Sequence, residues 1–227
     1  AAARALEAAG EVLAALRRHE MIVASYAGLA DTAAAAAAAA RLRDDRELRR
    51  ALKEEKRWLA FEEATRQRFA EAYAWLQQGE AAPTPAELGI ALGLRSIEKH
   101  AEAPGVEGLT ARRLLATLFA ETSYYVGPPL LAAGRWQAAA AVLTVAAEVA
   151  DGRWPAAPTW YNMACAHARS GDRRAALAAL ERAVADGYRD AAHLRADPDL
   201  ASLRGRPEFE ALAARIEAAA GGDTETP

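Results

Sequence analysis

The stretch WYNMACAHARSGDRRAALAALERA, Trp160–Ala183, contains the pattern that decides the fold. Its first half repeats apolar residues at helical intervals, a Ser-Gly-Asp break follows at 170–172, and a second apolar stripe begins after the break. Ala164, Ala176 and Ala183 stand where two antiparallel helices would cross, and close helix packing needs small side chains at a crossing. The stretch therefore predicts a tight helical hairpin.

The same pattern occurs a second time, 37 residues earlier in the chain. Gly134 is followed by Ala139, Leu143 and Ala146, and the later copy has glycine, alanine, leucine and alanine at the same spacing. Pro128-Pro129 stands where the first helix of the earlier copy should continue, so we expect a kink or an early end there. Two successive helix pairs are predicted, the earlier of them irregular.

The order of large residue, small residue, glycine turn, alanine, apolar residue and alanine resembles the pattern of a tetratricopeptide repeat. The unit of that family has about 34 residues, and the larger offset fits an insertion in the loop 151–155. The segment 186–216 is similar to the tail that closes many bacterial arrays of this family. The resemblance covers roughly residues 108–217. It implies a short α-solenoid that binds a protein or peptide partner.

The resemblance also implies where a partner would bind. In repeats of this family the first helix of each unit faces the concave surface. The residues of this chain that match such positions are Tyr124, Tyr161, Asn162, Cys165 and Arg169. Aromatic and arginine side chains are frequent anchors in peptide recognition, which favours Tyr161 and Arg169. Trp160 is expected in the core instead.

The composition indicates an all-α chain. Hydrophobic residues make up 52% of the 227 residues, and most of them are alanine, the strongest helix former. Lys+Arg number 28 against 31 Asp+Glu, so no global basic field would attract nucleic acid or an anionic membrane. No apolar run is long enough to cross a bilayer. We therefore predict neither a nucleic-acid partner nor a membrane span.

The first part of the chain, residues 1–82, is predicted to form a long helical hairpin. A short-helix connector at 83–107 and the repeats at 108–227 follow. No glycine or proline occurs from Ala33 to Gln78, which predicts one continuous helix of about 70 Å at about 1.5 Å per residue. An apolar seam on this helix, from Leu48 to Leu76, leaves self-association open. Thr84-Pro85-Ala86-Glu87 predicts a capping box that starts a short helix.

The segment RLRDDRELRRALKEEKR, Arg41–Arg57, is dense in charges of both signs. The pairs Arg43 with Glu47 and Asp45 with Arg49 are spaced for contact across one helical turn. Two interpretations are open: a narrow basic face for nucleic acid, or a solvated helix face held by ion pairs. The acidic residues that interrupt the run favour the solvated face.

No catalytic or metal-binding constellation stands out in the sequence. The four histidines are scattered, and His-x3-His and Cys-x2-Cys spacings, Gly-x-Ser-x-Gly and phosphate-binding glycine loops are absent. A thiolate nucleophile needs a base and an orienting group, so Cys165 is expected to be a small apolar filler. Asp197-Pro198-Asp199 is expected to cap a helix. The sequence predicts a protein that is not an enzyme and uses no cofactor or metal.

The most direct functional prediction is a non-catalytic interaction or assembly scaffold with a protein or peptide partner of unknown identity. An alternative is the C-terminal accessory domain of a larger enzyme, such as a hydrolase, whose catalytic part precedes residue 1. The chain begins Ala1-Ala2-Ala3 without methionine, as expected of a processed product or an excised fragment. A single cysteine leaves both the cytoplasm and the periplasm open as the compartment.

Overall fold

The computed structural model describes residues 2–79 and 82–222, with side chains described up to residue 219. Over these residues the chain forms thirteen α-helices, one π-helical segment and one 3-10 segment, and no strand. The all-α prediction is confirmed. None of the described helices combines the length and the apolar character that crossing a membrane requires. The start of the predicted connector, Glu80 and Ala81, lies outside the described residues.

The chain divides into two compact units, Ala1–Glu63 and Ala64–Pro227. The first unit contains helices α1 (Ala2–Ala8), α2 (Val12–Tyr26), α3 (Ala33–Asp44) and the first part of α4 (Arg46–Gln78). The division thus falls inside α4, whereas the boundaries predicted at residues 82 and 107 stay predictions. The core of the first unit is small and aliphatic, and its buried members are Ala15, Leu16, Ala39, Leu42 and Leu48.

The predicted continuous helix from residue 33 to residue 78 is wrong. The chain leaves the helix at Asp45, whose ψ of 131° is extended, and α4 begins at the next residue. The Asp45 carboxylate accepts a hydrogen bond of 2.7 Å from the backbone N–H of Leu48. Aspartate competes for backbone donors in this way and favours helix starts over helix interiors. The absence of glycine and proline was therefore not enough to keep one helix.

The first predicted helix is also divided, at Gly10, whose φ of 78° lies in the left-handed region and separates α1 from α2. The long hairpin is thus a set of four helices rather than two. Neither ion pair that was expected inside the charged segment is formed. Arg43 donates instead to Glu20 of α2, at 2.6 Å, and Asp45 caps α4.

The second unit contains the rest of α4 and the remaining helices. These are α5 (Pro85–Leu92), α6 (Leu94–Ala101), α7 (Gly105–Ala120), the π segment (Glu121–Val126), α8 (Gly127–Ala132), α9 (Trp136–Ala150), α10 (Ala157–Ser170), α11 (Arg173–Ala185), α12 (Ala191–Ala196), the 3-10 segment (Pro198–Leu203) and α13 (Pro207–Gly222). The predicted capping box is present at α5: the Thr84 hydroxyl accepts from the Glu87 N–H at 3.2 Å, and the Glu87 carboxylate accepts from the Thr84 N–H at 2.8 Å.

The two copies of the sequence pattern pack in the same way. Helix α9 packs on α7 and α10, and α10 packs on α11. The equivalent small and apolar residues of both copies are 0% exposed, namely Ala139, Leu143 and Ala146 in α9 and Ala176, Leu180 and Ala183 in α11. Because alanine brings helix backbones close together, these positions form the contacts between neighbouring helices.

The first helix of the earlier copy changes its hydrogen bonding before the two prolines. Helix α7 ends at Ala120, the π segment follows, and α8 begins at Gly127. Pro128 and Pro129 lack the N–H that would continue the α-helical ladder. Gly127 is needed for packing, because a Cβ there would lie 2.6 Å from Cδ2 of Leu143. The π segment thus forms where the sequence predicted a kink or an early end.

Candidate functional site

The densest polar group of the second unit surrounds the carboxylate of Asp197. We call it the Asp197 cluster and define it as Tyr161, Cys165, Tyr188, His193, Asp197 and Asp199. Helix α10 contributes the first tyrosine and the cysteine, and the segment that follows α11 contributes the others. The cluster therefore joins the later sequence repeat to the tail of the chain.

The two oxygens of Asp197 have different partners. Oδ2 accepts a hydrogen bond of 2.6 Å from the Tyr161 hydroxyl, and the Cys165 thiol donates to the same oxygen at 3.6 Å. Oδ1 accepts from the Asp199 backbone N–H at 2.8 Å, which caps the 3-10 segment. The predicted cap is confirmed, and its second function, to bind the side chains of α10, was not apparent from the sequence.

The aromatic rings of the cluster stack on each other. Tyr161 and Tyr188 are nearly parallel, with centroids 4.6 Å apart and an interplanar angle of 14°. The His193 ring lies 5.4 Å from the Tyr161 ring, and its Nε2 is 3.8 Å from Asp197 Oδ2. The Tyr188 hydroxyl oxygen is buried and has no hydrogen-bond partner within the described part of the chain.

The electrostatics of the cluster oppose nucleophilic chemistry. Burial, reinforced by the charges of Asp197 and Asp199, raises the pKa of the Cys165 thiol well above its ordinary value. Burial and the hydrogen bond to Asp197 likewise raise the pKa of Tyr161. Cysteine attacks as a thiolate, so a thiol held in its protonated form is a poor nucleophile. The cluster is arranged to hold protons on these side chains rather than to remove them.

The same residues place three possible metal-ligand atoms close together. Donor atoms of Cys165, Asp197 and Asp199 lie within 4.8 Å of one another. Both oxygens of Asp197 already accept hydrogen bonds from protein groups, and thiolate rather than thiol is the form that binds a metal. Burial and the neighbouring Asp197 raise the pKa of Asp199, and Arg169 opposes that shift. The bonding is that of a structural junction between α10 and the tail.

Three of the five predicted contact residues meet at this junction. Tyr161 and Cys165 are only 6% and 3% exposed, because the tail covers them. Arg169 is more accessible: its guanidinium lies over the Trp136 ring at 4.5 Å, and its Nε is 3.6 Å from Asp199 Oδ1. Asn162 is half-buried on the same helix. A partner in solution can therefore reach Arg169 and part of Asn162, but not the tyrosine or the cysteine.

The fifth predicted residue, Tyr124, belongs to a separate exposed group on the π segment. Tyr124 is 53% exposed and Tyr125 is 75% exposed. The Tyr124 ring meets Phe119 edge-on at 6.0 Å, and Phe119 stacks on Trp154 at 5.5 Å with an interplanar angle of 16°. We call these four residues the aromatic patch. The adjacent tyrosines were visible in the sequence, but the stack on Trp154 depends on the fold of the α9–α10 loop.

Trp160, which was expected in the core, is only half-buried. Its Nε1 donates to the Asp186 carboxylate at 2.9 Å, and the Arg182 guanidinium lies 4.9 Å from its ring centroid. An indole N–H must find an acceptor when its ring is covered, and this requirement holds the ring near the surface.

Comparison with known proteins gives one partial similarity. The chain is 42% identical over 52 residues to a chloroplastic protein from Arabidopsis thaliana. The match covers 23% of this chain and 16% of that protein, so it spans a small part of the relative's length. No protein-family model and no solved structure matches the chain.

Proposed function

We propose that this chain is a non-catalytic interaction or assembly module, in which residues 108–217 form a short tetratricopeptide-like solenoid that binds a protein segment. The observation that carries the proposal is the identical burial of the two sequence copies, in which equivalent alanines and leucines of α9 and α11 are 0% exposed. Repeated helix pairs that pack through such contacts build an extended binding surface.

The aromatic patch is the accessible part of that surface with the strongest binding chemistry. Tyrosine and tryptophan supply large rigid contact areas at a low cost in side-chain entropy, and they are enriched among residues that dominate interface energetics. Tyr124 and Tyr125 expose about half or more of their surface, although the neighbouring helices are well packed. The patch and Arg169 together replace the fully predicted set as the proposed contact surface.

Selection of peptides from a random phage-displayed library tests this proposal. We expect enrichment of peptides that bind the full chain, and we expect Tyr124→Ser with Tyr125→Ser to weaken their binding by at least about tenfold, since each lost aromatic anchor typically costs about 1 kcal/mol or more. The matched control is Leu109→Ser with Ile90→Ser, because these side chains are 61% and 78% exposed and lie outside the patch. Equal binding by both variants would contradict the assignment, as would a lack of enrichment.

A further inference from the structure

The first part of α4 carries a basic stripe that none of the preceding arguments uses. We define the basic stripe as Arg46, Arg49, Arg50, Lys53, Lys56 and Arg57. At about 3.6 residues per turn these six positions fall within an arc of about 120° and span about 16 Å along the helix. The acidic residues that interrupt the run in the sequence, Glu47, Glu54 and Glu55, fall outside this arc. The helix thus separates charges that the sequence mixes.

The six cations of the stripe are exposed, and among the described residues none of them forms an ion pair. Other arginines of the first unit are paired: Arg17 with Glu55, Arg41 with Glu7 and Arg43 with Glu20. The carboxylate of Glu55 is therefore already engaged on the opposite side of the helix. The local acids do not neutralise the stripe.

The stripe opposes the stability of its own helix. Arg46 and Arg50, Arg49 and Lys53, and Lys53 and Arg57 are like charges four residues apart, an arrangement that destabilises a helix. Arg46 and Arg49 also stand in the first turn of α4, where the helix dipole disfavours positive charge. Stability alone therefore does not explain this arrangement.

We infer that the basic stripe binds an acidic protein segment that presents carboxylates at about one helical turn, or about 5.4 Å, from each other. Four of the six cations are arginines, whose planar forks match carboxylates in two hydrogen bonds. The match of charge sign and of spacing is what defines the partner. This surface lies in the first unit and does not depend on the function proposed for the repeats.

Two features favour an acidic protein segment over other polyanions. A net charge of −3 and a pI near 5.9 make the whole chain unsuited to the long, uniform negative field of nucleic acid, whereas a short acidic segment meets only the stripe. A membrane-surface helix needs apolar side chains next to its cations. The exposed Leu59 of α4 falls outside the arc of the stripe.

Fluorescence anisotropy of the full chain with a labelled helical peptide that carries glutamate at every helical turn tests the inference. A peptide with glutamine at these positions is the ligand control. We expect the glutamate peptide to bind, its affinity to fall as salt rises, and Arg49→Gln with Lys53→Gln and Arg57→Gln to weaken binding about tenfold. The same number of exposed cations outside the stripe is removed in Arg173→Gln with Arg174→Gln and Arg215→Gln, which should weaken binding less than twofold.

The thermal midpoint of the stripe variant is a second measurement. Because the stripe repels itself, the variant should unfold at the same temperature as the parent chain or higher. A loss of peptide binding that comes with a lower midpoint would show a structural function of the cations and overturn the inference. Equal weakening by both triple variants would also overturn it. Tighter binding of mixed-sequence duplex DNA or of phosphatidylserine vesicles than of the glutamate peptide would assign the stripe to a different class of partner.

Discussion

Removing the hydroxyl of Tyr161 should destabilise the second unit, whereas removing that of the neighbouring Tyr188 should not. Tyr161→Phe deletes the 2.6 Å hydrogen bond to Asp197 and keeps the ring stacked 4.6 Å from Tyr188. A hydrogen bond to a charged acceptor contributes about 1.5–3 kcal/mol. The bond is well shielded, with Tyr161 6% exposed and the Asp197 side chain 11% exposed, so we expect a loss of about 2 kcal/mol.

The matched variant is Tyr188→Phe, which removes a buried hydroxyl that has no partner within the described residues. Removing an unsatisfied buried polar group releases its desolvation penalty, so this variant should be unchanged or more stable by up to about 1 kcal/mol. The two tyrosines are stacked on each other, so the pair separates the hydrogen bond from the effect of any tyrosine-to-phenylalanine change in this environment.

Hydrogen exchange of the α10 amides across a urea series measures the stability of this region locally, which suits a chain with two compact units. The reasoning requires that Tyr161→Phe lowers the opening free energy of α10 and that Tyr188→Phe does not. It is refuted if both variants change the opening free energy by the same amount, or if Tyr161→Phe changes it by less than about 0.5 kcal/mol.

Three other perturbations have expected outcomes. Arg135 donates to the backbone carbonyls of Leu76, Gln77 and Gly79 at the end of α4, so Arg135→Ala should lower the free energy of unfolding by about 2 kcal/mol in urea, and Arg135→Lys should recover less than half of that loss because lysine lacks the fork. Gly127→Ala, a change that usually stabilises a helix interior, should destabilise this one by about 1–3 kcal/mol in thermal unfolding, since the new Cβ would meet a leucine of α9 at 2.6 Å. Burial raises the pKa of Tyr73 and of Tyr161 above 10, so between pH 10 and the folded pKa values the folded state holds protons that the unfolded state has lost; stability should therefore fall as pH rises above 10, by about 1.4 kcal/mol per pH unit and group, and Tyr161→Phe should reduce the slope in urea unfolding at pH 10 and 11.

The helices of the second unit could be predicted because local spacing determines them. Glycine turns, alanine positions and the capping box at Thr84 each act over a few residues, and the structure contains them as the sequence indicated. The break at Asp45 was missed because a single aspartate can start a helix without any glycine or proline. The ion pairs of the charged segment were also missed, since Arg43 found its acceptor on another helix rather than four residues away.

The candidate contact residues show the same limit. Helical spacing placed Tyr161, Cys165 and Arg169 on one face of α10, and all three do meet the segment around Asp197. Whether a face is open to solvent, however, depends on what the rest of the chain lays on it. Tyr188 and His193 are distant in sequence from α10, so their ring contacts with Tyr161 could not be inferred from local pattern.

Coverage of this face by the tail determines which recognition mechanisms remain available to the repeats. A partner that used Tyr161 would have to displace Tyr188 and break the 2.6 Å bond to Asp197, and the energy of that bond would be subtracted from the energy of binding. The Tyr124 and Tyr125 side chains are already exposed, and a partner that binds them meets no such cost. Recognition through the aromatic patch is therefore favoured even though the family pattern points to α10, and a partner whose binding increased the exchange of α12 amides would contradict this order of preference.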